Sequence, residues 1–214
     1  MTSLTNRTPN YSIAVNRALE TLLRCGQFTA PVRLKQVIAC FDNICLIKYS
    51  DMADRLGISV EEYASEYANS IYAMSFFQKS TSRYMIVYND RLDERILRFT
   101  LAHELGHYIL KHKTDNDTSK KEANCFARNL LCPAPFIDAI ECKGTLDYCK
   151  YFQVTPSMAE ISINYRNSDF YYAEDYLYNN LYRLFNKYAY YYDSSETHAV
   201  DYMMDLYEKW PYAM

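Results

Sequence analysis

The chain has 214 residues, half of them hydrophobic, which suits one compact domain or one domain with a small extension. Its 23 Lys and Arg against 26 Asp and Glu leave a net charge of -3, which disfavours nucleic acid as the main partner. No stretch approaches the roughly 18 apolar residues of a transmembrane helix, and the polar segment Met1–Asn10 lacks a signal peptide's apolar core, so a cytoplasmic location is expected.

Seven Cys with no C-x-x-C pair read as free thiols, several of them buried as small hydrophobes. Gly is scarce at four, as expected of a helix-rich chain with few tight hairpins. Of the 23 Tyr, 13 lie from Tyr165 onward. That shift in composition sets a boundary, with one domain over 1–168 and a Tyr-rich helical extension over 169–214.

Apolar residues at Ile13, Ala14, Ala18, Leu22 and Leu23 predict a helix over Tyr11–Cys25. Pro31 can open a second one through Leu34, Val37, Ile38 and Phe41. Asn43–Tyr49 reads as a strand, and 54–73 as helical in parts. Tyr84–Tyr88, rich in β-branched and aromatic residues, reads as a second strand that could offer an edge to an extended peptide. Asn89 or Asp90 would then cap a long helix to about His112. A polar loop over Thr114–Thr118 precedes a helix from about Ser119 to Leu131, stopped by Pro133. Shorter helices follow near Pro135–Glu141, Thr145–Phe152 and Pro156–Tyr165, then an interrupted helical tail. In that tail Tyr171, Tyr172, Tyr176, Tyr178 and Tyr182 recur with Leu177, Leu181, Leu184 and Phe185 at roughly helical spacing. They would either pack back on the core or form a docking surface, and packing is the simpler account. His198 reads as a surface residue. The segments Met52–Ser59 and Tyr151–Ser157 resemble the turn of a helix-turn-helix, but no basic recognition helix follows either one.

The long helix carries His103-Glu104-Leu105-Gly106-His107. Residues four apart on a helix lie about 40° apart in azimuth and about 6 Å apart along the axis. His103 and His107 can therefore bind one metal ion, with Glu104 beside the open position as general base. H-E-x-x-H also arises by chance. Here Leu101, Ala102, Leu105, Tyr108, Ile109 and Leu110 make the helix apolar almost all round, so it should be buried. Two His and a Glu there would cost a few kcal/mol each if left unsatisfied, and a metal satisfies them. Gly106 costs roughly 1 kcal/mol against Ala in a helix, which makes sense if something must approach the backbone there.

A catalytic zinc usually takes a third protein ligand. Glu122 sits on the edge of the stripe Ala123, Phe126, Ala127, Leu130 and Leu131, placed to turn back onto the metal. Its spacing from Ser119 equally suits a capping box that would satisfy the helix N-terminus. Asp115, Asp117 and Cys125 are weaker candidates.

These residues together resemble the ImmA/IrrE-type metallopeptidases. The resemblance rests on Arg98-Phe99-Thr100-Leu101-Ala102 before HELGH, then E-A-N-x-F-A from Glu122, then Leu130-Leu131-x-Pro133. It covers roughly residues 10 to 165 and is specific over about 85 to 135. Cys132 departs from the larger apolar residue usual before that proline, and the Tyr-rich tail has no counterpart. The resemblance implies an α+β, helix-rich fold with a zincin-like core, a small sheet packed on the HELGH helix. It implies Zn2+ held by His103, His107 and Glu122, with Glu104 as base. It also implies a protein substrate, often a helix-turn-helix repressor, whose cleavage relieves repression. An oxyanion donor would come from Tyr84, Tyr88, Tyr108 or His112, the last otherwise reading as a solvated helix-end residue. The competing reading is a non-catalytic binding module that uses the same scaffold to sequester a regulator. Intact Glu104 disfavours it.

Overall fold

The computed structural model describes residues 7–193; residues 1–6 and 194–214, including His198 and the end of the Tyr-rich tail, lie outside the described residues. Helix α1 spans Tyr11–Arg24, with the Asn10 side chain accepting the Ile13 N–H at 3.0 Å. Helix α2 covers Leu34–Ala39, starting three residues after Pro31. Strand β1 is Ile44–Lys48. Helix α3, Tyr49–Leu56, ends on Gly57 in the left-handed region (φ 69°), where a residue without Cβ is favoured. A short turn, α4 (Val60–Glu62), widens into one π-helical turn over Tyr63–Tyr67. Strands β2 (Ala73–Gln78) and β3 (Arg83–Tyr88) follow, then α5 (Glu94–Ile109), α6 (Asp117–Leu131), α7 (Ala134–Ile140), α8 (Thr145–Phe152), α9 (Pro156–Tyr172) and α10 (Asp175–Asp193). The result is a helix-rich α+β chain. Among its described residues, no helix is long and apolar enough to cross a membrane.

The sheet has the order β1-β3-β2, with β1 parallel and β2 antiparallel to β3. This corrects two expectations. Tyr84–Tyr88 is the central strand, not an edge, and residues 73–78 form a strand that the sequence did not announce. The Ala-Met-Ser-Phe-Phe-Gln stretch lacks β-branched residues and clean alternation, its Phe76 and Phe77 are exposed, and one edge of β2 is unpaired. Side chains of β3 alternate between two cores. Ile86 and Tyr88 enter the main core, while Val87 joins a smaller cluster with Tyr49, Ala53, Tyr63 and Ala64.

Helix α5 is capped by Asp93, whose carboxylate accepts the Arg95 N–H at 2.9 Å, rather than by Asn89 or Asp90. Asp90 instead accepts from the backbone N–H and hydroxyl of Ser50. Helix α6 starts before Ser119. Asn116 is its N-cap and exchanges reciprocal hydrogen bonds with Ser119, so the capping box is Asn116–Ser119 and Glu122 has no part in it.

Helices α5 and α6 meet at Gly106. A Cβ there would lie 3.1 Å from Phe126 Cδ1 and 3.2 Å from both the Cα and the carbonyl oxygen of Ala123. That is the close approach the glycine suggested. Backbone atoms cannot give way as a flexible side chain can. Gly106→Ala should therefore cost about 1–3 kcal/mol through overpacking, more than the roughly 1 kcal/mol that Ala gains as a helix former. Urea denaturation measures the difference, and a stabilised variant would contradict the close packing.

The change in composition near residue 168 falls inside α9 rather than at a break. Helix α10 packs back on the core through buried Leu177, Leu181 and Phe185, with the Phe185 ring stacked on Phe136 at 4.4 Å. All seven cysteines are free thiols, and Cys125, Cys132 and Cys142 are buried.

Candidate metal centre

His103 and His107 sit one turn apart on α5 and bring their Nε2 atoms within 3.0 Å. The outer nitrogens decide what that contact is. His103 Nδ1 lies 2.8 Å from Asn124 Oδ1, so it donates and leaves Nε2 with a lone pair. On the other side Glu122 Oε2 lies 2.9 Å from His112 Nε2, and His112 Nδ1 lies 3.1 Å from His107 Nδ1. With His112 Nε2 donating to the carboxylate, its Nδ1 can accept from His107. His107 Nε2 then also carries a lone pair. Two Nε2 atoms 3.0 Å apart that each keep a lone pair can share one cation. Outer partners that fix the tautomer of metal-binding imidazoles are the usual companions of such a site. The histidine pair therefore fits a zinc ion.

Burial lowers the His103 pKa, and it lowers that of His107 to about 4, helped by the neighbouring His103 and His112. Both imidazoles are thus held in the neutral form a metal needs. The unfolded chain binds a proton at His107 below about pH 6.5 that the folded, metal-free chain refuses until about pH 4. Stability must fall as pH drops through that window. The His107 share is expected to be about 3 kcal/mol. It is read as the part of the pH 7 to pH 4 decline, in urea denaturation of metal-free protein, that His107→Asn removes; an unchanged decline would refute it.

His112 is not a solvated helix-end residue. Helix α5 closes with Lys111 in the left-handed region (φ 56°), Lys111 N–H bonding to Tyr108 O and His112 N–H to His107 O. That reversal drives the His112 ring back between His107 and Glu122, where its side chain is only 9% exposed. A Lys in this conformation costs roughly 1 kcal/mol, offset here by the buried contacts it enables.

Glu104 faces β2. Its carboxylate accepts the Ser75 hydroxyl at 2.5 Å, and Ser75 Oγ lies 2.8 Å from Tyr84 OH. Burial raises the Glu104 pKa, the Ser75 bond partly offsets this, and the charge of Asp115 adds to it. Of the four oxyanion candidates, Tyr84 and His112 border the groove over the histidines. Tyr108 donates instead to Asn43 at 2.7 Å, and Tyr88 is buried in the main core. Ser75 and Asn124, which touch Glu104 and His103, were not singled out in the sequence. Only recognition of β2 as a strand beside α5 would have flagged Ser75.

Glu122 is buried, and the histidine nitrogen it meets is His112 Nε2; no hydrogen bond joins it to His103 or His107. Its Oε1 accepts the Asn10 N–H at 2.6 Å and its Oε2 faces His112. Cys125 contacts the Tyr11 carbonyl and its thiol is pushed up to about 12 by burial, unsuited to metal. Asp115 is exposed and pairs with Lys120 at 3.2 Å, and Asp117 lies in the first turn of α6. Among the described residues, no three His, Cys, Asp or Glu side chains are already gathered as a metal cage.

The histidine pair and Glu104 lie in an open groove of about 1700 Å³ between β2, α5 and α9. Its apolar rims include Phe76, Phe77, Ile161 and Tyr165, all exposed. That volume exceeds the roughly 300–1,000 Å³ of small-molecule pockets and suits a polymer.

A helix bearing H-E-x-x-H, set beside a small sheet under such a groove, defines a metallopeptidase-type protein. The chain matches the model of the M78 peptidases, the IrrE N-terminal-like domain, over residues 53–164, and it belongs to that family. No curated protein matches it.

Proposed function

We propose that this chain is a zinc-dependent endopeptidase that cuts an extended segment of a regulatory protein. The observation that carries the reading is the pair of opposed imidazole lone pairs beside the Glu104 carboxylate on a groove floor. When bound there, zinc would polarise the scissile carbonyl and acidify an attacking water. Glu104 would take the proton from that water and pass it to the leaving amine. Ser75 would hold Glu104 in place, with Tyr84 behind it and near enough to the groove to donate to a developing oxyanion. His103 and His107 supply two ligands. Glu122, which the family resemblance makes the third, would have to leave both Asn10 and His112 to serve.

A substrate strand would pair with the free edge of β2, its side chains meeting Phe76, Phe77, Ile161 and Tyr165. The family resemblance points to a helix-turn-helix repressor as the substrate, which would place the reaction in the cytoplasm and its effect in transcription. Zinc-loaded protein, mixed with a helix-turn-helix repressor encoded beside it, is expected to cut the repressor at one position. A chelator should stop the reaction and zinc restore it. A repressor left intact in every state tested overturns the regulatory substrate. Cleavage that persists in chelator overturns the role of the metal.

A further inference from the structure

The C-terminal ends of α1 and α2 are joined by several side-chain contacts. Gln27, just past α1, donates from Nε2 to Gln36 Oε1 at 3.3 Å and accepts the Arg33 N–H at 3.2 Å. The Arg24 guanidinium lies 4.9 Å from the centre of the Phe41 ring. Between these contacts sit two cysteines, Cys25 at the C-cap of α1 and Cys40 at the C-cap of α2. Their sulfurs reach neighbouring carbonyls of one turn of α2. Cys25 Sγ lies 3.8 Å from Val37 O, and Cys40 Sγ lies 3.3 Å from Gln36 O. The two thiols also hydrogen-bond to each other. A pair in contact meets the first requirement of a disulfide, sulfurs that can close to about 2 Å.

The two thiols are unequal. Cys40 is exposed and Cys25 half-buried, whereas Cys125, Cys132 and Cys142 are buried. Burial pushes the Cys25 thiol up to about 12, and its hydrogen bond with Cys40 adds to this. Reaction with an oxidant follows thiolate character and exposure, so Cys40 reacts first and Cys25 second.

We propose that Cys25 and Cys40 form a redox modification site, which a peroxide converts to an intrachain disulfide. The Cys40 thiolate attacks one peroxide oxygen. An S–O bond forms, the O–O bond breaks, and the departing hydroxide takes up the thiol's proton as water. The Cys25 sulfur then attacks the Cys40 sulfenic sulfur. The S–S bond forms, the S–O bond breaks, and a second water leaves with the Cys25 proton. Two thiols lose two electrons and one peroxide becomes two waters. The bond closes a loop of about 15 residues. It ties α1, which packs on α6, to α2, which packs on α5. The site does not depend on the metallopeptidase reading.

The test treats the full chain with hydrogen peroxide, blocks the remaining thiols with iodoacetamide and maps the peptides without reduction. The peptides of Cys25 and Cys40 are expected to be joined within one chain, short of two hydrogens, and freed by dithiothreitol. The melting temperature of the oxidised chain should rise by about 5–10 °C, as a closed loop of this length implies. Cys25→Ser should stop at a Cys40 sulfenic acid that a dimedone probe traps, with no rise in melting temperature. Cys40→Ser should give no linked peptide. Alkylation of both Cys25 and Cys40 after peroxide, or a bond from Cys40 to any other cysteine, overturns the proposal. So does an intrachain disulfide at Cys40 that survives in Cys25→Ser.

Discussion

Replacing Glu104 by Gln is expected to lower kcat/KM on the proposed repressor substrate about 10²–10⁴-fold, the usual contribution of a positioned general base. The substitution is close to isosteric. An amide oxygen can still accept the Ser75 hydroxyl, so the side chain should stay beside β2. The amide cannot take a proton from water at neutral pH. Zinc content and thermal stability should stay at wild-type values, because neither imidazole of the pair depends on Glu104 for its tautomer. Binding of that proposed substrate should survive, since the groove walls on β2 and α9 are untouched. The same variant separates catalysis from sequestration. A chain that only binds its regulator would show no cleavage in either form. Cleavage at the wild-type rate in Glu104→Gln would remove Glu104 from the mechanism.

The arrangement of the histidine pair was legible because local spacing fixes it. Histidines four apart on a helix must share a face, and the structure puts their Nε2 atoms 3.0 Å apart. Gly106 announced a close neighbour, which proved to be the backbone of Ala123. What the sequence withheld depends on contacts distant in the chain. Ser75 reaches Glu104 across 29 residues, on an edge strand whose residues do not alternate. Glu122 was ambiguous for a different reason. The apolar stripe of α6 is covered from two sides, by α5 and by α1, and Asn10 claims Glu122 from 112 residues away. Periodicity places a residue on a face but does not say which neighbour covers that face. The capping-box reading failed because Asn116, three residues earlier, holds Ser119 as its own partner. His112 was misplaced because the left-handed Lys111 that turns it inward has no glycine to mark it.

Asp169→Ala is expected to destabilise the fold by about 3–5 kcal/mol, the cost of leaving a buried charge without its partner. Arg128 on α6 donates from Nε and a terminal nitrogen to the two oxygens of Asp169 on α9, each at 2.7 Å, and both residues are under a tenth exposed. The guanidinium also lies 4.6 Å from the Tyr165 ring centre. The pair bolts α9, the far wall of the groove, to the helix that holds Asn124 against His103. Losing Asp169 strands the guanidinium, and the melting temperature should fall by roughly 10 °C. The double replacement Arg128→Met with Asp169→Leu removes both charges and should recover most of the loss, because a well-packed apolar pair can match a buried ion pair. Substrate binding should weaken in the double variant even at temperatures where it stays folded, since there Tyr165 loses the cation it packs on. Urea denaturation of the two variants distinguishes the outcomes. An Asp169→Ala chain within about 1 kcal/mol of wild type would mean that Arg128 finds water through the groove, and the pair would then be no bolt between α6 and α9.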